Sequence, residues 1–286
     1  MTTATAYNGQ PADLLLTLHA WHSRDAIINF RARYPERPII LALTGTDINE
    51  YFHDHSDDIL NSLASADALV GFHDLVRDII PEPFRHKLNI IYQSAKPLTG
   101  KRNPSKRHFD ICVIGHLRPV KDPLRTAIAV RDLPPTSRIR VIHMGKALDP
   151  ALQKAAETEM KANPRYLWKG EVPGWQVRRQ LLHSHLMVIS SRSEGGANVV
   201  SEAIVAGVPV VASAIAGNIG LLGDYYAGYF PVGDTLALQE LLLELERNPT
   251  QLAQLEQQCI ARRHLFTPQM EQDNLDKLIK NVCESG

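Results

Sequence analysis

Two glutamates, Glu194 and Glu202, stand eight residues apart in SSRSEGGANVVSEAIVAGVPVVAS, and Gly195 and Gly196 follow the first directly. An apolar run ends at Ser191, a glycine turn comes next, and a helical pattern begins near Ala197. Glycines let backbone approach a ligand closely, and the free amides at a helix start, here around Ala197 and Asn198, suit a phosphate. Glu202 falls about one and a half turns into that helix, where it can accept hydrogen bonds from a diol such as a ribose. Glu194 lies in the turn, nearer to whatever the phosphate carries. The same spacing also fits a plain strand–loop–helix connection with two solvated glutamates.

A second turn, CVIGHLRPVKDP (112–123), places Gly115, His116, Arg118 and Lys121 within a short window after an apolar run. Arg118 can bind a diphosphate in a bidentate way and Lys121 as a point charge. A basic loop in water is the competing reading. In the first third of the chain, TLHAWHS carries His19 and His22, Arg24 follows, and TGTD ends on Asp47. Both segments follow strand patterns, and open α/β sheets bind ligands outside the carboxyl ends of their strands. His19 suits an acid–base or oxyanion contact; Asp47 suits either a substrate hydroxyl or the cap of the next helix. No DxD ends an apolar run, and among the 12 histidines only His53 and His55 come near a metal-ligand frame. No metal site is expected from these residues.

The elements that must hold these turns are strands. DLLLTLH (13–19), PIILALTG (38–45), ALVGF (68–72), LNIIYQ (88–93), DICVIG (110–115), RIRVIHMG (138–145), LMVISS (186–191) and VPVVAS (208–213) are short apolar runs separated by amphipathic stretches. Strands apolar along their whole length, alternating with helices, predict parallel sheets covered on both faces. KPLTGKRNPSKRH (96–108) is basic and broken by prolines and a glycine, so it reads as a linker. The chain divides into a unit over 1–100, a unit over 108–265 and a terminal helix over 266–286 that packs back toward the first. With 31 basic and 31 acidic residues, no global field steers the chain to nucleic acid. Three scattered cysteines exclude a disulfide scaffold and favour a reducing, cytoplasmic setting. No apolar run is long enough to span a membrane. Cys112, inside an apolar run, reads as core, and Trp168 and Trp175 as packing around a turn.

Taken together, EGGANVVSEA with its two glutamates, the following AGVPVVAS, the GHLRPVK turn and WKGEVP resemble the retaining glycosyltransferases of family 4. The finer wording, with AGNIGLLG, TGTD and IGHLRPVKDP, resembles the selenosugar synthases of selenoneine biosynthesis. The resemblance implies a GT-B fold, α/β, with two Rossmann-like doubly wound domains facing a cleft. It implies transfer from a UDP-sugar, UDP-N-acetylglucosamine preferred, to the selenium of selenophosphate with loss of UDP. It implies no cofactor and no metal, small-molecule partners, and leaves a homodimer open. By match, Glu202 holds the ribose, and Glu194 and His19 face the transferred sugar. Gly115, His116, Gly195, Gly196, Ala197 and Asn198 lie along sugar and diphosphate, and Arg118 and Lys121 neutralise the leaving group. His22, Arg24 and Asp47 fall on the acceptor side. The sequence departs from the family's usual pattern in carrying Gly115–His116 where a glycine–arginine pair is usual. It also lacks the opening strand and glycine-rich loop expected before 13–19, so the first domain reads as short of a strand–helix–strand. A conventional O-glycosyltransferase and a non-catalytic UDP-sugar-binding remnant share the donor-side residues.

Overall fold

The computed structural model describes residues 3–284. It separates into two compact units. The first takes the chain up to Gln93, the tripeptide Glu194–Gly196 and the segment from Pro268; the second takes Ser94–Ser193 and Ala197–Thr267.

The first unit is a parallel sheet of β1 (Leu15–Leu18), β2 (Ile39–Ala42), β3 (Ala68–Gly71) and β4 (Leu88–Ile90), in that spatial order. β2 and β3 are buried at every position, as their unbroken apolar sequences require. Side chains alternate between the two faces of a strand. Ile39 and Leu41 therefore meet Ile27, Phe30, Ile59 and Leu63 from the helices Arg24–Arg33 and Ser56–Ser65. On the opposite face Ile40, Ala42 and Val70 meet Leu278 of the helix Pro268–Glu284. β1 differs from the interior strand its apolar sequence suggests. It is an edge strand, and Leu16 and Leu18 are 37% and 56% exposed.

The second unit is a six-stranded parallel sheet. Its strands are β5 (Phe109–Ile114), β6 (Ile139–Met144), β7 (Tyr166–Trp168), β8 (Leu186–Ile189), β9 (Val210–Ser213) and β10 (Tyr229–Phe230), in the order β10-β9-β8-β5-β6-β7. The chain lays β6 and β7 to one side of β5 and then returns to lay β8, β9 and β10 on the other. The strand order reverses between β5 and β8, which is the position where doubly wound sheets open a crevice at the strand ends. The turns leaving these two strands are GHLRPVK and the SSRSEGGAN loop. β7 and β10, three and two residues long, were not among the strands expected from the sequence.

The segment read as a linker lies on the second unit. Arg102 donates to the carbonyls of Gly207 (2.9 Å), Ser184 (3.2 Å) and His185 (3.1 Å) and pairs with Glu256 at 3.0 Å. Those bonds explain how a proline-rich stretch without regular structure stays in place: its backbone cannot form a ladder, so a guanidinium fork ties it down. Among the described residues no helix is long and apolar enough to cross a membrane.

Candidate functional site

In the second unit the turn after β5 is bonded at nearly every residue. Gly115 N–H donates to Met144 O at 3.0 Å, and Leu117 N–H to Lys146 O at 2.9 Å. Arg118 N–H returns to His116 O at 2.9 Å, and Lys121 N–H to Arg118 O at 3.0 Å. The loop after β8 grips the same turn. Ser190 Oγ donates to the carbonyls of Lys121 (3.2 Å) and Asp122 (2.8 Å), and Arg192 N–H to Val120 O at 2.8 Å. The two turns predicted to meet a diphosphate are thus hydrogen-bonded together at the reversal of strand order.

Asp122, which the sequence did not single out, takes a left-handed backbone with φ 43°. Its carboxylate is held by Arg125 at 2.9 Å and lies 3.6 Å from Arg192. This pins the short 3₁₀ turn Pro119–Lys121. Arg118 is exposed and Lys121 half-buried. A Cβ built on Gly115 would meet nothing within 4 Å, so no protein atom demands glycine there. His116, where the resemblance expects arginine, is exposed, and its Nδ1 accepts from Lys146 N–H at 3.0 Å.

The helix Asn198–Ala206 starts from Ala197 and ends at Gly207, whose φ of 70° makes it the left-handed cap that glycine supplies best. Ala197 is buried and Asn198 exposed. Glu202 is half-buried; burial pushes its carboxyl above the ordinary glutamate range, and the charge of Arg178 partly offsets this. Below it, Ser213 Oγ donates to Ser191 O at 2.6 Å, and Asn218 Nδ2 donates to Ser213 O at 3.0 Å.

In the first unit His19 stands at the end of β1 with φ 71°, a conformation uncommon for a residue with a side chain. It is 8% exposed, and burial, aided by the charge of His22, lowers its pKa to about 4. The neutral ring accepts from His22 N–H through Nδ1 at 3.2 Å, so its proton sits on Nε2. Nε2 is buried and has no hydrogen-bond partner. His22 lies with its ring 4.0 Å from that of His19 and 5.4 Å from Tyr51. Arg24 donates to Trp21 O at 3.0 Å, lies over the Trp21 ring and stands 3.7 Å from Asp58.

At Asp47, Gly195 and Gly196 the fold itself gives a reason for the residue type. Asp47 does not reach out to an acceptor: it is wholly buried and accepts from Ala20 N–H (2.9 Å), Thr44 Oγ (3.2 Å) and Ile48 N–H (3.0 Å). It ties the loop after β1 to the loop after β2, and burial raises its pKa. Gly195 and Gly196 are glycines for protein reasons. A Cβ on Gly195 would lie 2.0 Å from Gly45 N, and one on Gly196, at φ +118°, would lie 2.6 Å from Phe72 Cβ. Glu194, half-buried, counts with these glycines in the first unit.

Two more groups escaped the sequence reading. His73, after β3 as His19 is after β1, is fully buried with neither ring nitrogen hydrogen-bonded. His143, in β6, is fully buried between Tyr166 and Gly115. Its signal was available: a lone imidazole in the apolar run RIRVIHMG needs buried partners. Trp168 donates through Nε1 to Gly145 O at 2.9 Å and so does hold a turn, whereas Trp175 is 55% exposed. Among the described residues no three His, Cys, Asp or Glu side chains gather as a metal would need.

The model of the family described as glycosyl transferases group 1 matches residues 97–263, more than half of the chain. No protein of curated function matches it in sequence. Among solved structures it is similar to the HepE protein of Anabaena in complex with UDP, with a TM-score of 0.74 at 16% identity, covering 94% of this chain and 79% of that one. HepE has also been crystallised with UDP-glucose. Sucrose-phosphate synthase from Thermosynechococcus elongatus gives a TM-score of 0.77 at 15% identity, covering 96% and 74%. The N-terminal domain of Candida albicans trehalose-6-phosphate phosphatase gives 0.77 at 12%, covering 96% and 71%. With two parallel α/β units of GT-B type and a family model spanning the whole sheet of the second, the chain belongs to the glycosyl transferases group 1 family.

Proposed function

We propose that the chain transfers the sugar of a UDP-sugar, UDP-N-acetylglucosamine foremost, to the selenium of selenophosphate, releasing UDP and leaving a 1-selenosugar. The observation that carries the donor half is the turn after β5. Gly115 presents open space, and Arg118 and Lys121 follow it at the reversal of strand order. That arrangement suits a diphosphate, and the neighbours crystallised with UDP support the nucleotide. The selenium half rests on the wording of AGNIGLLG, TGTD and IGHLRPVKDP.

In this reading Glu202 accepts hydrogen bonds from the ribose hydroxyls, and the amides opening the helix at Ala197 and Asn198 face the diphosphate. A lone pair of selenium attacks the anomeric carbon while the bond from that carbon to the diphosphate oxygen breaks. UDP leaves with the electron pair, and Arg118 and Lys121 stabilise the charge that grows on it. No general base is needed, because selenophosphate is already anionic and its selenium is soft. Water then attacks phosphorus, the selenium–phosphorus bond breaks, and phosphate departs. His19, neutral with its proton on Nε2, is a hydrogen-bond donor for the sugar; Glu194 is its carboxylate partner on the same substrate. His22 is the acceptor-side contact.

A conventional hydroxyl acceptor is the second reading, and one observation favours it. Arg24 already pairs with Asp58 and caps Trp21, so it is not a dedicated counter-ion for an incoming dianion. Purified protein given UDP-N-acetylglucosamine and selenophosphate is expected to release UDP in step with selenophosphate consumed. UDP release with a hydroxyl acceptor and none with selenophosphate would overturn the selenium assignment.

A further inference from the structure

We propose that His143 and Tyr166 are positioning residues of the donor site, a buried pair that locks the Gly115–His116 peptide so that its N–H faces the diphosphate. The inference rests on the reading that the turn after β5 takes that diphosphate. In β6, His143 is flanked by Val113 of β5 and Trp168 of β7, a place that a valine or isoleucine would fill without polar cost. Its Nε2 stands 3.0 Å from Gly115 O and its Nδ1 2.9 Å from Tyr166 Oη. A carbonyl can only accept, so the proton sits on Nε2, Nδ1 is bare, and Tyr166 donates to it. Burial, which lowers the pKa of His143 to about 4, keeps the ring neutral and the arrangement single.

The consequence reaches the front of the turn. In a trans peptide the C=O and the following N–H point opposite ways. Drawing the Gly115 carbonyl back to His143 therefore turns the His116 N–H the other way. The rear is closed: a Cβ on Gly145 would lie 1.9 Å from Gly115 O, and Gly145 is itself held by Gly170 O and by Trp168 Nε1. On Gly115 itself a Cβ would project into open space. Without the imidazole the peptide is free to flip, and a flipped peptide offers a phosphate a carbonyl in place of a donor.

The test uses the full chain and UDP alone, with calorimetry, amide hydrogen exchange over 115–118, and ¹⁵N NMR of the imidazoles. His143→Leu is expected to raise the UDP dissociation constant about 10- to 150-fold, the worth of one hydrogen bond to a charged group. It should also speed exchange over 115–118 without speeding it in the helix Pro150–Ala162. His143→Gln, which restores an N–H donor, should recover most of the affinity, and Tyr166→Phe should fall between. The wild-type ring should show its proton on Nε2. Unchanged affinity and exchange in His143→Leu, no rescue by glutamine, or a proton on Nδ1 overturns the inference. Should His143→Leu fail to fold, Tyr166→Phe and the NMR tautomer decide. If the wild type binds no UDP, and Glu202→Ala is no different, the donor reading falls instead; the lock is then judged by tautomer and exchange.

Discussion

Replacing Gly115 by alanine separates a glycine kept for a ligand from one kept for the fold. The added Cβ would meet nothing within 4 Å, and Gly115 is not among the residues with positive φ, so its backbone accepts a side chain. In the folded protein the change adds no clash. In the unfolded chain it removes conformational freedom, which stabilises by about 0.4–1 kcal/mol. A thermal midpoint equal to the wild type or up to about 4 °C higher is the expected result. The donor sees the opposite. A methyl group in the open face holds the diphosphate off the turn and costs at least one charge-assisted hydrogen bond, about 1.5–3 kcal/mol. That is about 10- to 150-fold in the UDP dissociation constant, since 1.4 kcal/mol is a factor of ten. Differential scanning calorimetry and titration with UDP measure the two halves on one sample. Gly145→Ala is the control: its Cβ would sit 1.9 Å from Gly115 O, so it should lose stability together with binding. An alanine at 115 that leaves UDP affinity untouched would refute the placement of the diphosphate over this turn. A fall in midpoint at 115 would show a structural glycine.

Glu202→Ala should raise the UDP dissociation constant at least tenfold with little change in thermal midpoint, measured by the same titration. Because burial raises the Glu202 pKa, UDP affinity should begin to fall, as pH drops, at a higher pH than an ordinary glutamate would give. His19, His73 and His143 each have a pKa lowered to about 4 by burial, against about 6.5 when unfolded. The unfolded chain therefore binds more protons between those values, and stability should fall as pH drops from 6.5 toward 4, by up to about 3 kcal/mol for each ring. Asp47 and Glu202, whose pKa values are raised, oppose this, and urea titrations across that range report the net slope. Asp47→Ala strips the acceptor from Ala20 N–H, Thr44 Oγ and Ile48 N–H, and should cost about 2–4 kcal/mol in chemical denaturation.

The strands were legible where burial on both faces forced continuous apolar runs, as in PIILALTG and DICVIG, which became β2 and β5. β7 and β10 were not, because two or three residues carry no period to read. Parallel pairing and the two-sheet plan followed from alternation, whereas the edge position of β1 did not. Its leucines look interior, and only the sheet order shows that nothing among the described residues pairs with its far side. Among candidate site residues, type and spacing were enough to pick out the glycine and the charges of the β5 turn, which the fold gathers in one hydrogen-bonded turn. His143 was readable only as an oddity, since its partners Tyr166 and Gly115 are 23 and 28 residues away in sequence. Asp47 carried two chemically equal meanings, and burial, a property of the folded chain, chose between them.

The glycines show why spacing alone cannot assign a ligand. Gly115 and Gly195 both follow a strand that flanks the reversal of order in one sheet, yet only one of them relieves crowding next to backbone. At Gly195 the crowding atom is Gly45 N, 2.0 Å from where a Cβ would stand; at Gly115 there is no such atom. A glycine whose missing side chain is explained by protein carries no information about substrate. One whose missing side chain points into nothing does carry it, because the position pays the entropic cost of glycine with no return from the fold. By that criterion the inference of a diphosphate rests on Gly115, Arg118 and Lys121 far more than on the pair of glycines between the two glutamates. Glu194 then inherits its position from the contact of its neighbours with Gly45 and Phe72. Its expected effect on transfer is one of rate, with donor affinity carried by Glu202.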